Sequence, residues 1–236
     1  MIDVSSMNED ERNDYIFGDH IDRDIPVTNR FGWLESALPD DIETFINVIR
    51  IAPQLRVGGG NLSIPIIVCT GLELVSALYA GNTKYLCGRA YNAEDNVKNF
   101  VKNFFTGPAR EIPRLIWDGV RNGVDHTFNP KSIQYSNDTI RFTFYSEIEM
   151  QSYVSKNNNE IRIHLNSIEL YNMLRRAVGE YRIELQGTKE LQENFIWAWN
   201  SIESSVQNVT NRFQQAMETR SLLRRLQTSN NITPFH

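Results

Sequence analysis

Ile64-Pro65-Ile66-Ile67-Val68-Cys69-Thr70-Gly71-Leu72-Glu73-Leu74-Val75-Ser76-Ala77-Leu78-Tyr79-Ala80 is the strongest apolar run in the chain, and what it is decides the fold. Its 17 residues fall short of the roughly 20 needed to span a bilayer, and Glu73 sits in the middle. It reads as the central, buried helix of a helical protein. Pro65 suits a first turn, and Gly81-Asn82 supply the stop.

Upstream of this helix, Gly58-Gly59-Gly60 invites a phosphate-loop reading, because glycine lets backbone amides approach an anion. The lysine and Ser/Thr that complete such a loop are absent, so the triplet reads as a loop between helices. Before it, the Asp40 cap and apolar residues at 42, 45, 46, 49 and 51 predict a helix to about Ala52, broken by Pro53. Phe31 to Leu38 opens the apolar content. Residues 1–30 are polar and without a sustained period, as in a tail or a loosely docked arm.

Downstream, Val97, Phe100, Val101, Phe104 and Phe105 predict a helix over 93–105, closed by Gly107-Pro108. Another is expected from Ala109 to about Thr127, stopped by Asn129-Pro130. The period then becomes two. Ile140, Phe142 and Phe144, and later Ile161, Ile163 and Leu165, alternate with polar neighbours around turn clusters at 136–138 and 157–159. These predict a small antiparallel meander over 132–165. Asn166 with Glu169 caps a further helix to Leu185, Gly187 ends it, and Thr188 opens the last one. That last helix carries apolar residues at 191, 195, 199, 202, 206, 209, 213 and 217. Unbroken to Leu226 it would be about 58 Å long, so its inner half is expected against Leu170, Leu174, Ala177, Tyr181 and Leu185 and its outer half against a subunit or partner protein.

The expected class is mainly α, or α+β by strict count. It divides into an acidic N-terminal arm (1–30), a helical bundle (31–130), a β-meander (131–165), a helical hairpin (166–228) and a tail (229–236). With 236 residues, 41% of them hydrophobic and 22% charged, neither disorder nor a fibrous protein fits. The two cysteines, Cys69 and Cys87, form no C-x-x-C pair, so neither a zinc site nor a cofactor is called for. The leading segment lacks the basic and apolar regions of a signal peptide, and a cytoplasmic protein without membrane association is expected. All of the net charge of -5 lies in residues 1–30, where eight acids face three bases. The neutral remainder argues against a broad basic face for duplex nucleic acid.

The chemistry concentrates in Arg114-Leu115-Ile116-Trp117-Asp118-Gly119-Val120-Arg121-Asn122-Gly123-Val124-Asp125-His126-Thr127. On a regular helix Ile116, Gly119, Val120, Gly123, Val124 and Thr127 share one arc, and Asp118, Arg121, Asn122, Asp125 and His126 the other. Gly119 and Gly123 would let a neighbouring helix approach closely. Taken singly, Arg121 and Asp125 make an ordinary surface pair, and His126 an ordinary cap at a helix C-terminus.

Taken together, Arg121-Asn122-Gly123-Val124-Asp125-His126 resembles the Arg-x4-His signature of the HEPN superfamily, including the polar residue after the arginine. The context agrees: four expected helices over about 40–128, the motif late in the last, and Glu73 inside the apolar second helix. The resemblance covers about 100 residues and leaves out the meander and the hairpin. It implies an HEPN-like four-helix bundle and metal-independent endoribonuclease chemistry at a composite site in a homodimer, with RNA as substrate, as in toxin or phage-defence systems. In that reading His126 transfers the proton and Arg121 supplies the cation beside the phosphate, while Asn122 orients one or the other. Glu73, Asp118 and Asp125 are supporting residues. Since HEPN-like proteins also serve as dimerising, RNA-binding or toxin-neutralising modules without nuclease activity, that is the alternative.

Elsewhere the signals are ordinary. His20, His164 and His236 have no local second ligand, Trp33, Trp117, Trp197 and Trp199 read as core and interface anchors, and Arg220, Arg224 and Arg225 read as a solvated basic helix end.

Overall fold

Among the helices, α1 spans Glu9–Phe17, α2 Arg30–Ile51, α3 Gly59–Ala80, α4 Ala93–Phe104, α6 Ser167–Gly187 and α7 Lys189–Gln215, with the short α5 (Pro113–Leu115) between α4 and the strands. They are seen in a computed structural model that describes residues 3–18, 29–51, 59–83, 92–121, 132–146 and 151–215. The apolar run is the centre of the arrangement. α2, α4, α6 and α7 all pack on α3, and its Ile64, Val68, Leu72, Val75 and Leu78 are buried in one cluster with Phe31, Phe100, Leu174, Tyr181 and Phe195. Over Ser63–Ala80 the helix is long and apolar enough to cross a membrane, but 56% of that stretch is buried inside the chain, as in the core helix of a soluble protein.

The predicted stop forms as expected. Gly81 adopts φ +60°, Asn82 N–H donates to the Ala77 carbonyl and Gly81 N–H to that of Leu78, which closes the helix in a Schellman motif. A Cβ at Gly81 would also meet the Asn194 side chain of α7 at 2.5 Å, so both the turn and the packing require glycine.

Three helical expectations need correction. α2 begins ten residues before the Asp40 cap: the Asn29 side chain accepts from Gly32 N–H, and burial of Phe31 and Leu34 carries the helix through Pro39. α3 begins at Gly59, so part of the glycine triplet is helical and Pro65 lies inside the helix, not in its first turn. The leading segment is more than a loose arm over residues 3–18. The Asn8–Glu11 capping box starts α1, Val4 and Ile16 are buried, and the buried Arg12 donates from Nε to Gln192 of α7 at 2.8 Å.

α6 and α7 form the predicted hairpin through Thr188, and Leu170, Leu174, Ala177, Tyr181 and Leu185 are buried as expected. Their burial is shared, however. Each helix packs on α3 more extensively than on the other, because α3 is the more apolar surface, so the hairpin completes the helical core. α7 is 27 residues long, about 40 Å, and the predicted continuation over 216–226 lies outside the described residues.

The strands depart furthest from the expected meander. β1 (Ile133–Tyr135), β2 (Asp138–Tyr145), β3 (Tyr153–Asn157) and β4 (Glu160–Asn166) lie in the order β1-β2-β4-β3, with β2 and β4 parallel and both outer pairs antiparallel. Two hairpins therefore lie side by side. The reason is burial: Ile140 pairs with Ile161, Phe142 with Ile163 and Phe144 with Leu165, so the two apolar strands share the centre. A meander would have put β3, exposed along its whole length, between them.

Candidate active site

The segment leading to the motif is not one regular helix. After α4, a 3-10 turn covers Gly107–Glu111, Pro113 opens α5 at its first position, and Ile116–Arg121 continues as a π-helix. Proline suits that opening because the first turn needs no N–H from it. The wider π turn spreads the buried side chains over two surfaces: Trp117 joins the helical core, while Val120 joins a smaller cluster with Cys69, Ile140, Phe142, Ile163 and Leu165. Such π segments are rare and recur at functional sites.

Gly119 was expected, with Gly123, to admit a neighbouring helix. Instead it admits Phe142 of β2 in its own chain, where an added Cβ would lie 2.0 Å from the ring. Gly123 lies outside the described residues. The Gly119 position therefore pins the motif segment to the sheet.

Of the predicted site residues, Arg121 closes the π-helix, with only its backbone described. Asn122, Asp125 and His126 lie outside the described residues. Asp118 is half-buried and accepts from Arg114 Nε at 3.3 Å, one turn back. Arg114 also lies 3.6 Å from Glu94, which bonds Lys98 at 3.3 Å, and Lys98 meets Asp95 at 2.7 Å. That bond to Asp95, and the one to Glu94, raise the Lys98 pKa. An alternating string of charges thus ties α4 to the start of the motif segment. Glu73 stands on α3 four residues beyond Cys69, hence on the helix face that meets Val120. The structure thereby brings Glu73's side of α3 and the π-helix together.

His164, which shows no second ligand in the sequence, carries polar chemistry in the sheet. His164 Nε2 lies 3.0 Å from the Ser155 hydroxyl, and its ring stacks on Tyr153 at 4.1 Å and 10°. Burial, with Arg162 adding to it, pushes its pKa down. The available signal was the parity of the strands, which puts His164 on the polar row of β4. Among the described residues no group of three or more His, Cys, Asp or Glu side chains is placed to hold a metal ion.

No protein-family model, no curated protein and no solved structure matches the chain.

Proposed function

We propose that the chain is an HEPN-like, metal-independent endoribonuclease of the cytoplasm that acts as a homodimer. The observation that carries this reading is the position of Arg121: the first residue of the Arg-x4-His motif ends a π-helix that is anchored on one side by Trp117 in the helical core and on the other by Val120 and Gly119 against the sheet. A cation that must meet a phosphate in one geometry benefits from such a fixed base. The face of α3 carrying Glu73 adjoins the same π-helix, in keeping with the glutamate that the resemblance implies.

In this mechanism the ribose 2'-oxygen attacks the adjacent phosphorus as its proton passes to a base, and the bond from phosphorus to the 5'-oxygen breaks. The products are a 2',3'-cyclic phosphate and a 5'-hydroxyl. His126 moves the proton, being a side chain that ordinarily titrates near pH 6.5. Arg121 offers two parallel donors to the phosphorane oxygens, with Asn122 orienting either partner. Two copies supply two such sets, facing one another across the dimer.

Purified protein in a chelator should cut single-stranded RNA and leave cyclic phosphate ends, and Arg121→Ala or His126→Ala should each slow cleavage by about two to four orders of magnitude. Cleavage retained by both variants would sink the assignment. A folded dimer that cuts no RNA would give the chain over to the binding-module alternative, and a strict monomer in sedimentation at micromolar concentration would remove the composite site.

A further inference from the structure

We infer that the outer face of the sheet, opposite the face that packs on Gly119 and Val120, is a docking surface for single-stranded RNA, with Tyr153 and His164 receiving a base and Arg141 and Arg162 the neighbouring phosphates. The inner face is spent on the core through Ile140, Phe142, Ile163 and Leu165. Among the described residues the outer face has no such cover. Strand alternation puts Thr139, Arg141, Thr143 and Tyr145 of β2, Glu160, Arg162 and His164 of β4, and Tyr153, Ser155 and Asn157 of β3 on it together.

Register then orders these residues into rows. Thr143, His164 and Tyr153 lie opposite one another, and Arg141, Arg162 and Ser155 form the next row, about 7 Å along the strands. Tyr145 flanks the first row, with its ring 6.4 Å from Tyr153. An aromatic row beside a cationic row, at about one nucleotide's spacing, is what a stacked base with its backbone requires. Tyr153 remains 46% exposed on the edge strand, so the pair forms a ledge with an open side. The Ser155 hydroxyl holds the imidazole in that stack.

The charges favour an anionic partner over an apolar one. Arg141 and Arg162 share one carboxylate, Glu160, at 3.5 and 2.5 Å, leaving one net positive charge on the row and several unspent guanidinium donors. Their side chains stay 56% and 44% exposed. Apart from the aromatic rings, the described residues of the face include no large apolar side chain to offer a protein. RNA is preferred to DNA because the Thr143 and Ser155 hydroxyls border the aromatic row, within reach of a ribose 2'-hydroxyl. That preference draws on the reading of the chain as a ribonuclease, whereas the stacking surface itself does not.

The test is fluorescence anisotropy of the full chain with a labelled 12-nucleotide RNA, alongside the same sequence as DNA and as an RNA duplex. Tyr153→Ala should weaken RNA binding about tenfold, as expected for loss of one stacked base, while Tyr153→Phe keeps it. Arg141→Ala with Arg162→Ala should lower affinity further and flatten its dependence on salt. Because Tyr153 sits on an exposed edge strand, circular dichroism of Tyr153→Ala should match the parent. Tyr153→Ala placed in an Arg121→Ala background should still weaken RNA binding about tenfold relative to Arg121→Ala alone, whatever that background does to cleavage, which keeps failure of this inference distinct from failure of the nuclease reading. Binding unchanged by Tyr153→Ala, equal or tighter binding of DNA or duplex, no RNA binding by the folded protein, or a change of oligomeric state on substituting the sheet face would each overturn it.

Discussion

The helical core and the sheet solve the same problem with very different means. Around α3 the cluster runs from Val4 to Ala198 and holds a knot of rings: Tyr181 lies within 6.0 Å, centroid to centroid, of Phe31, Tyr79, Phe100 and Phe104. Among the described residues the sheet's buried cluster has only Cys69, Val120, Ile140, Phe142, Ile163 and Leu165, and one glycine in it lets one ring in. The first is redundant and tolerant of small shifts. The second depends on single contacts, and the motif segment is attached through it.

The largest effect should therefore come from the ring knot. Tyr181 is fully buried, and Tyr181→Ala should cost about 3–5 kcal/mol in denaturant unfolding. A loss under about 1 kcal/mol would mean that the rings around it are not packed as a unit.

Gly119→Ala tests the other side. The added methyl meets Phe142 inside a buried cluster, so a loss of about 1–3 kcal/mol is expected, and the RNA cleavage we propose for the chain should fall as the π-helix shifts Arg121. Adding Phe142→Leu should recover part of the stability, giving a double variant less damaged than the two single losses added together. Simple additivity would show that the two residues do not touch, and that the motif segment is held by something else.

A smaller effect of opposite sign separates the rings' apolar contribution from their polar one. The Tyr181 hydroxyl is buried with no hydrogen-bond partner among the described residues, so Tyr181→Phe should be neutral or stabilising by up to about 1 kcal/mol. A clear destabilisation would reveal a partner for that hydroxyl.

The same contrast governs what could be read from the sequence. The helices around α3 declare themselves by period, because a helix face repeats every three to four residues wherever the partner lies; so α4, α6, the start of α7 and the Gly81 stop fall where expected. Errors came where a residue type has two meanings. Asp40 reads as a cap, yet burial of Phe31 and Leu34 carried α2 straight through it. In the sheet, alternation says which residues face inward but not which strand lies beside which, so the central pairing of β2 with β4 was invisible. The Arg-x4-His motif was legible as a string of residues, but its setting was not: nothing local distinguishes a π turn at 116–121 from an α turn. Nor does local sequence show that Gly119 faces Phe142 and not a second copy. Tyr153 and His164 escaped for the related reason that their stack exists only once β3 and β4 pair.

The subtlest expected effect joins α2 to α6 at the rim of the helical core and is read through pH. The Tyr171 hydroxyl donates to Glu43 at 3.0 Å, and Arg175 reaches the same carboxylate oxygen at 3.2 Å. Burial, followed by the bond to Glu43, pushes the Tyr171 pKa up to about 12; Tyr15 is likewise held at about 12, mainly by burial. Both phenols thus keep their protons in the folded chain at a pH where the unfolded chain, titrating near 10, has released them. Their contribution is complete below pH 10 and is lost as pH rises through about 12, because unfolding there releases protons and alkali favours it. Tyr171→Phe removes one of the two. At pH 8 the variant should be less stable by up to about 1 kcal/mol, for loss of the bond to Glu43, and the gap should narrow as pH passes 11, since only the parent then has this phenol to deprotonate. Thermal melts of both proteins at half-unit steps from pH 8 to 12 would show this convergence; parallel curves would mean that Tyr171 is as free to ionise in the folded chain as in the unfolded one, and that the rim of the helical core is as loosely held as the sheet.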